Sequence, residues 1–254
     1  MSTPNPPSIE IRELTNADQF RNAVKLQKTI WGFEDIELLP VRLFVVANKI
    51  GGQSLGAYDG DRMIGFALAI PGLKPGPRSY LHSHMAGVLP EYRNHGVGRS
   101  LKLRQREDSL ARGIDLIEWT FDPLEVKNAY FNIERLGAIV RRFVRNQYGV
   151  TTSHLHGGLP TDRCIAEWWI QTERVQKTVA GETYQRPAVV ARLKVPVEIA
   201  ELRTTDPKRA REIQTGVSDG MEENLGRGLA VIGMERSSRH GTYLFGKILP
   251  GESS

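Results

Sequence analysis

Two imidazoles stand one residue apart at His82 and His84, and a glycine loop follows them in the run HSHMAGVLPEYRNHGVG. A histidine takes up and releases a proton near neutral pH, so a pair of them suits acid–base work. Residues two apart on a strand share a face, which puts both rings on one side. Arg93-Asn94-His95-Gly96-Val97-Gly98 has the form R-x-x-G-x-G and lies where a strand gives way to a helix. Glycines let the backbone turn sharply and let a ligand approach the chain. The first N–H groups of the helix and its dipole then favour an anion, and a pyrophosphate fits there. Arg93 and Arg99 add charge-assisted bonds. The plainer readings, turn glycines and hydrogen-bonded strand histidines, stay open. Glu118 and Asp122 are further acid–base candidates, whereas Glu91 reads as solvated. No lysine-serine or lysine-threonine follows the loop as in a P-loop. A dinucleotide fingerprint fits poorly behind a strand carrying His82, Ser83 and His84.

The elements that must position these groups are legible as patterns. Ile9–Leu14 alternates as a strand, and Thr15 or Asn16 caps a helix that stops at Gly32. A second helix ends at Gly51-Gly52, and Asp59-Gly60 marks a hairpin between two strands. Tyr80–Leu89 is a strand, Val97–Arg112 a helix, and DLIEWTFD a strand. VKNAYFNIERLGA is a helix and IVRRFVRNQYG a strand. This order predicts an α/β fold with a mixed sheet and helices on both faces. Beyond it, LHGGLPTDR reads as a loop and CIAEWWIQTERVQ as a helix, with Trp168 and Trp169 too aromatic to float free. Thr161 or Asp162 is expected to cap that helix, or GGLPTDR to line a ligand cleft with Asp162 or Arg163 touching the ligand. Strand material around Pro196, a helix from Asp206 and a terminal hairpin follow. The division expected is a core over 1–149 and an α/β extension over 150–254 that packs on it.

The formal net charge of +5 suits anionic ligands, but no arginine/lysine tail points to nucleic acid. The single cysteine, Cys164, excludes an internal disulfide and reads as a structural thiol. No apolar run reaches a membrane span, and the start MSTPNPPSIE lacks the order of a signal peptide. The expected location is the cytoplasm. No metal-ligand spacing is visible. A homodimer is left open.

The loop and the strand before it resemble the GNAT superfamily of CoA-dependent N-acyltransferases, whose signature is [RQ]-x-x-G-x-[GA]. SHMAGVLPEYRNHGVG, WTFDPLEVKNAYFNIERLGA and GLPTDR together are similar to a bacterial branch of that superfamily. The resemblance implies that acetyl-CoA or CoA binds. The main chain of Gly87, Val88 and Leu89 would pair with the pantetheine arm. The backbone of Asn94, His95, Gly96, Val97, Gly98 and Arg99, with the Arg93 side chain, would hold the pyrophosphate. Asn128 and Phe131 would approach the CoA from the later helix. The pair His82 and His84 is similar to that of serotonin N-acetyltransferases, where it helps remove protons from the amine. Many family members carry an acid tyrosine four residues before the glycine that ends the later helix. Here that place is Ile133, and the role passes to Tyr130, Tyr148 or water. The expected reaction is acyl transfer to a small amine or amino acid. Succinyl transfer, with Arg141, Arg142 and Arg145 meeting a second carboxylate, and a CoA-binding module without turnover are the alternatives.

Overall fold

The computed structural model describes residues 9–75, 78–149, 157–249 and 251. The first eight residues, and Leu155 and His156 of the expected loop, lie outside them. The chain forms two compact units that divide between Ile114 and Asp115.

The first unit is a four-stranded antiparallel sheet with three helices. Strand β1 is Ile9–Glu13, β2 Gln53–Asp59, β3 Arg62–Leu73 and β4 Ser79–Val88, paired in that order. Helix α1 is Ala17–Trp31, α2 Val41–Lys49 and α3 Val97–Ala111. Asn16 caps α1: its side chain accepts from the Gln19 N–H while the Gln19 side chain reaches back to the cap. Gly32 ends α1 with φ 70°, a left-handed conformation that suits glycine. Phe20, Phe44, Leu55, Phe66, Leu68 and Leu101 form the core. Each such side chain stabilises the fold by about 1.5–3 kcal/mol on burial.

The second unit holds strands β5 Leu116–Phe121, β6 Ile139–Val144, β7 Arg163–Trp169, β8 Ala191–Pro196, β9 Ala230–Arg236 and β10 His240–Gly246. Their sheet order is β5-β7-β6-β9-β10-β8. Its helices are α4 Val126–Tyr130, α5 Glu173–Ala180, α6 Ile199–Thr205 and α7 Pro207–Gly226. The α/β class expected from the sequence holds, as do the hairpin at Asp59-Gly60 and the terminal β9–β10 hairpin.

The segment from Cys164 departs from expectation. It is a strand through Trp169, and helix begins only at Glu173. Strand β7 pairs with β5 on one side and β6 on the other, so residues on both sides of Gly149 share one sheet. Trp168 is fully buried, donates its indole N–H to the Leu136 carbonyl at 2.6 Å and meets Trp119 edge-on at 5.9 Å. Neither Thr161 nor Asp162 caps a helix. Asp162 accepts from the Asn146 N–H and from the Ser218 hydroxyl, tying the turn after β6 to α7. Among the described residues no helix is long and apolar enough to cross a membrane.

Candidate functional site

The two histidines sit on a bulge. Leu68 pairs with Met85 and Ile70 with His82, so Ser83 and His84 stand where β3 offers only Ala69. An extra residue bends a strand and re-aims its side chains. Simple alternation therefore does not set the face of each ring, yet the rings do meet, with centroids 5.8 Å apart and planes tilted 45°. Both are half-buried. Burial lowers the pKa of each, and for His82 the positive charge of His84, Lys102 and Lys74 adds to the effect and brings it to about 4. At neutral pH both are neutral imidazoles, each with a nitrogen able to accept a proton.

Beyond β4 the chain turns into the loop. The Leu89 N–H still bonds to the Ile64 carbonyl, and Pro90–Tyr92 forms one tight turn. Tyr92 donates to Asp59 at 2.7 Å and anchors that turn to β2. Glu91 is exposed and paired with Arg62, in keeping with a solvated role. Asn94 and Gly96 take left-handed φ values of 67° and 82°. Gly96 is the N-cap of α3, and no side chain caps that helix. A Cβ at Gly96 would meet nothing, and one at Gly98 would meet only Val88 at 4.0 Å. The space over the helix start is therefore open. Arg93 and His95 are exposed and Arg99 is half-buried, while Val97 and Leu101 anchor the helix in the core. These residues fit a diphosphate: open backbone, the positive end of a 15-residue helix, Arg93 in the loop and Arg99 in the first turn of the helix. Gly87 has another function. A Cβ there would lie 2.5 Å from Trp31, so only glycine lets β4 pack this close to α1.

The first unit thus gathers His82, His84, Gly87, Val88, Leu89 and the loop from Arg93 to Arg99. The other expected residues belong to the second unit. Glu118 is buried and paired with Arg142, which also bonds Glu167 at 3.2 Å. Arg141 donates to the same Glu167 at 2.8 Å. Two buried carboxylates and two guanidiniums make an ion cluster in which the Glu118 carboxylate is paired with Arg142. Arg145 is bonded to Asp219 and Glu222. All three arginines considered for a second carboxylate therefore already hold one from the chain. Asp122 accepts from Arg203 at 2.8 Å and from the Leu124 N–H, a structural role. The helix expected through VKNAYFNIERLGA changes character midway: α4 runs into a π-turn at Phe131–Arg135, where the Leu136 N–H bonds the Phe131 carbonyl. Asn128 is exposed, Phe131 half-buried and Ile133 buried. Tyr130 is half-buried beneath the guanidiniums of Arg236 and Arg135, 5.1 and 5.9 Å from its ring centre. The Tyr148 hydroxyl is 3.0 Å from that of Thr120. Cys164 is buried, and burial pushes its thiol pKa up, as befits an inert side chain.

Sequence reasoning missed a polar group inside the first unit. Lys102 of α3 is buried and donates to the Ser83 hydroxyl at 2.7 Å. Ser83 donates in turn to Gln105 at 3.0 Å, and Gln53 of β2 donates to the Gln105 carbonyl. The signal was present: Val97, Leu101, Gln105 and Ser109 mark the inward stripe of α3 at helical spacing, and Lys102 falls on its edge.

No protein-family model matches the sequence, and no curated protein matches it. Solved structures do. An acetyltransferase of the GNAT family from Streptococcus pneumoniae aligns with a TM-score of 0.50 at 14% identity, covering 63% of this chain and 98% of its own. The fold is that of the GNAT acetyltransferases. The NAA60 protein of Arabidopsis thaliana in complex with acetyl-CoA aligns at 0.52 and 16% identity, over 64% of this chain and 100% of its own. A ribosomal-protein-alanine N-acetyltransferase from Escherichia coli aligns at 0.50 and 16%, over 63% and 92%. About a third of this chain lies outside each of these GNAT-fold alignments.

Proposed function

We propose that this chain is an acyl-CoA-dependent N-acyltransferase, acetyl-CoA being the donor and the amine of a small molecule or amino acid the acceptor. The observation that carries the reading is one stretch of the first unit. It puts the histidine pair on a bulged strand and, within a few residues, an open glycine loop at an uncapped helix start. A GNAT fold around that stretch supports it. When bound, the CoA thioester supplies an acyl carbonyl activated toward attack by an amine.

The residues divide the work. The loop backbone from Asn94 to Arg99, with Arg93, holds the pyrophosphate. The main chain of Gly87, Val88 and Leu89 holds the arm, and the Val88 N–H polarises the acyl carbonyl. An amine attacks only when neutral, so a proton must leave the ammonium form. His84 takes it, directly or through water, with His82 behind it. Tyr130, as the acid for the leaving thiolate, enters on family resemblance alone, as do Asn128 and Phe131. Arg141, Arg142 and Arg145 are held by the chain's own carboxylates, which favours acetyl over succinyl as the acyl group.

One observation favours a second reading, a CoA-binding module without turnover. The place of the family's acid tyrosine is the buried Ile133. Incubating the protein with acetyl-CoA and a panel of small amines, amino acids and peptides, and following thiol release, separates the readings. Thiol release that depends on an amine supports the transferase. Tight CoA binding with no release on any amine supports the module.

A further inference from the structure

A lysine seldom occupies a protein interior without a task. Lys102 lies on α3 among Val97, Leu101 and Gln105, with 5% of its surface exposed. An apolar side chain of similar length would avoid the cost of desolvating an ammonium, and exchanging buried charges for apolar groups is often neutral or stabilising. The lysine therefore needs another explanation, and its bond offers one. Its ammonium donates to Ser83, the residue between His82 and His84 and part of the bulge. Ser83 is held from its other side by Gln105, so the bulge is tied to α3 at two points.

We propose that Lys102 is a positioning residue for the histidine pair: through Ser83 it fixes the bulge on which the imidazoles stand, and it brings a positive charge up to that bulge. This rests on the reading of His84 and His82 as the proton acceptors of an acyltransferase. The charged groups that act on His82 are His84 of its own strand, Lys102 of α3 and Lys74 just past the end of β3. Burial also brings the pKa of Lys102 down to about 7. Its charge therefore develops as the pH falls below neutrality, the range in which an ordinary imidazole would protonate. That charge adds to burial, the larger effect, in opposing protonation of His82.

The test uses Lys102→Met, which removes bond and charge, and Lys102→Gln, which keeps a donor for Ser83 and removes the charge. Histidine side-chain resonances, assigned by single histidine variants, are titrated by NMR in the full-length protein. The pH–rate curve is measured in parallel. With the nearby positive charge gone, the His82 pKa should rise in both variants by about one unit. The acidic limb of the rate curve should move to higher pH with it, so turnover at pH 5 relative to that at neutral pH should be lower in both variants than in the parent. Lys102→Met should melt no lower than the parent at neutral pH. Both variants folded with histidine titrations like the parent's would overturn the proposal. So would loss of the fold in both, which would make Lys102 a packing residue. If the parent shows no acyl transfer on any amine, the functional reading fails, while the NMR shift still reports whether Lys102 governs the pair.

Discussion

Replacing His84 by alanine removes the nitrogen assigned to the amine's proton. On the proposed reading turnover should fall by roughly a hundredfold or more, the scale of a lost general base, while acetyl-CoA affinity, which that reading assigns to the loop, stays as it was. Steady-state rates and calorimetry on the one variant check both halves. A variant that melts lower but keeps its turnover would make His84 structural. The pH dependence has a definite sign. Both imidazoles have pKa values lowered by burial, so the active neutral form persists below the ordinary range and is lost only as the pH falls through the lowered values, near 4 for His82. The same shift acts on stability. Between about pH 4 and 6.5 the unfolded chain binds more protons at His82 than the folded one, so stability is full above that window and drains away through it. His82→Leu should therefore melt with a shallower dependence on pH in that window than the parent, and an unchanged slope would count against a buried neutral His82. At this scale the sequence was partly readable. The histidines and the glycine loop could be singled out from residue type and spacing, because the chemistry they suit goes with their type. The ion cluster of Glu118, Glu167, Arg141 and Arg142 could not, since it depends on pairings between β5, β6 and β7 that no local pattern records.

At the scale of elements, local signals were read correctly where local physics decides. The Asn16 cap, the Gly32 stop and the Asp59-Gly60 turn are each set by a few adjacent residues. Strand β7 was not readable. Six of its seven residues are buried, so it lacks the polar alternation that marks a half-buried strand. The bulge at Ser83 and His84 was equally invisible, because it exists only in the pairing of β4 with β3. A prediction follows from β7. It supplies the strand between β5 and β6, so a chain ended at Gly149 leaves both without their partner. That fragment should aggregate, or lack the cooperative melting of the full chain, by circular dichroism. A soluble fragment that melts cooperatively would show that β7 is dispensable.

Across the whole molecule, the chain's net charge of +5 and an arginine-bearing loop suit an anionic ligand. The GNAT fold was legible from one motif in its strand–helix context. That strands after Gly149 share a sheet with β5 was not, because those pairings lie in the tertiary structure and not in any local pattern. The central claim is that acyl-CoA binds at the loop, and a calorimetric titration of acetyl-CoA into the parent and into Gly96→Asp tests it most directly. Aspartate would place a carboxylate at the open helix start and a side chain at a left-handed φ of 82°, so melting temperature is recorded alongside. The account predicts saturable binding by the parent and affinity at least about tenfold weaker in a folded variant, since a negative charge there opposes the anion that the helix dipole attracts. Equal affinity in the two folded proteins, or no binding by the parent, would contradict it.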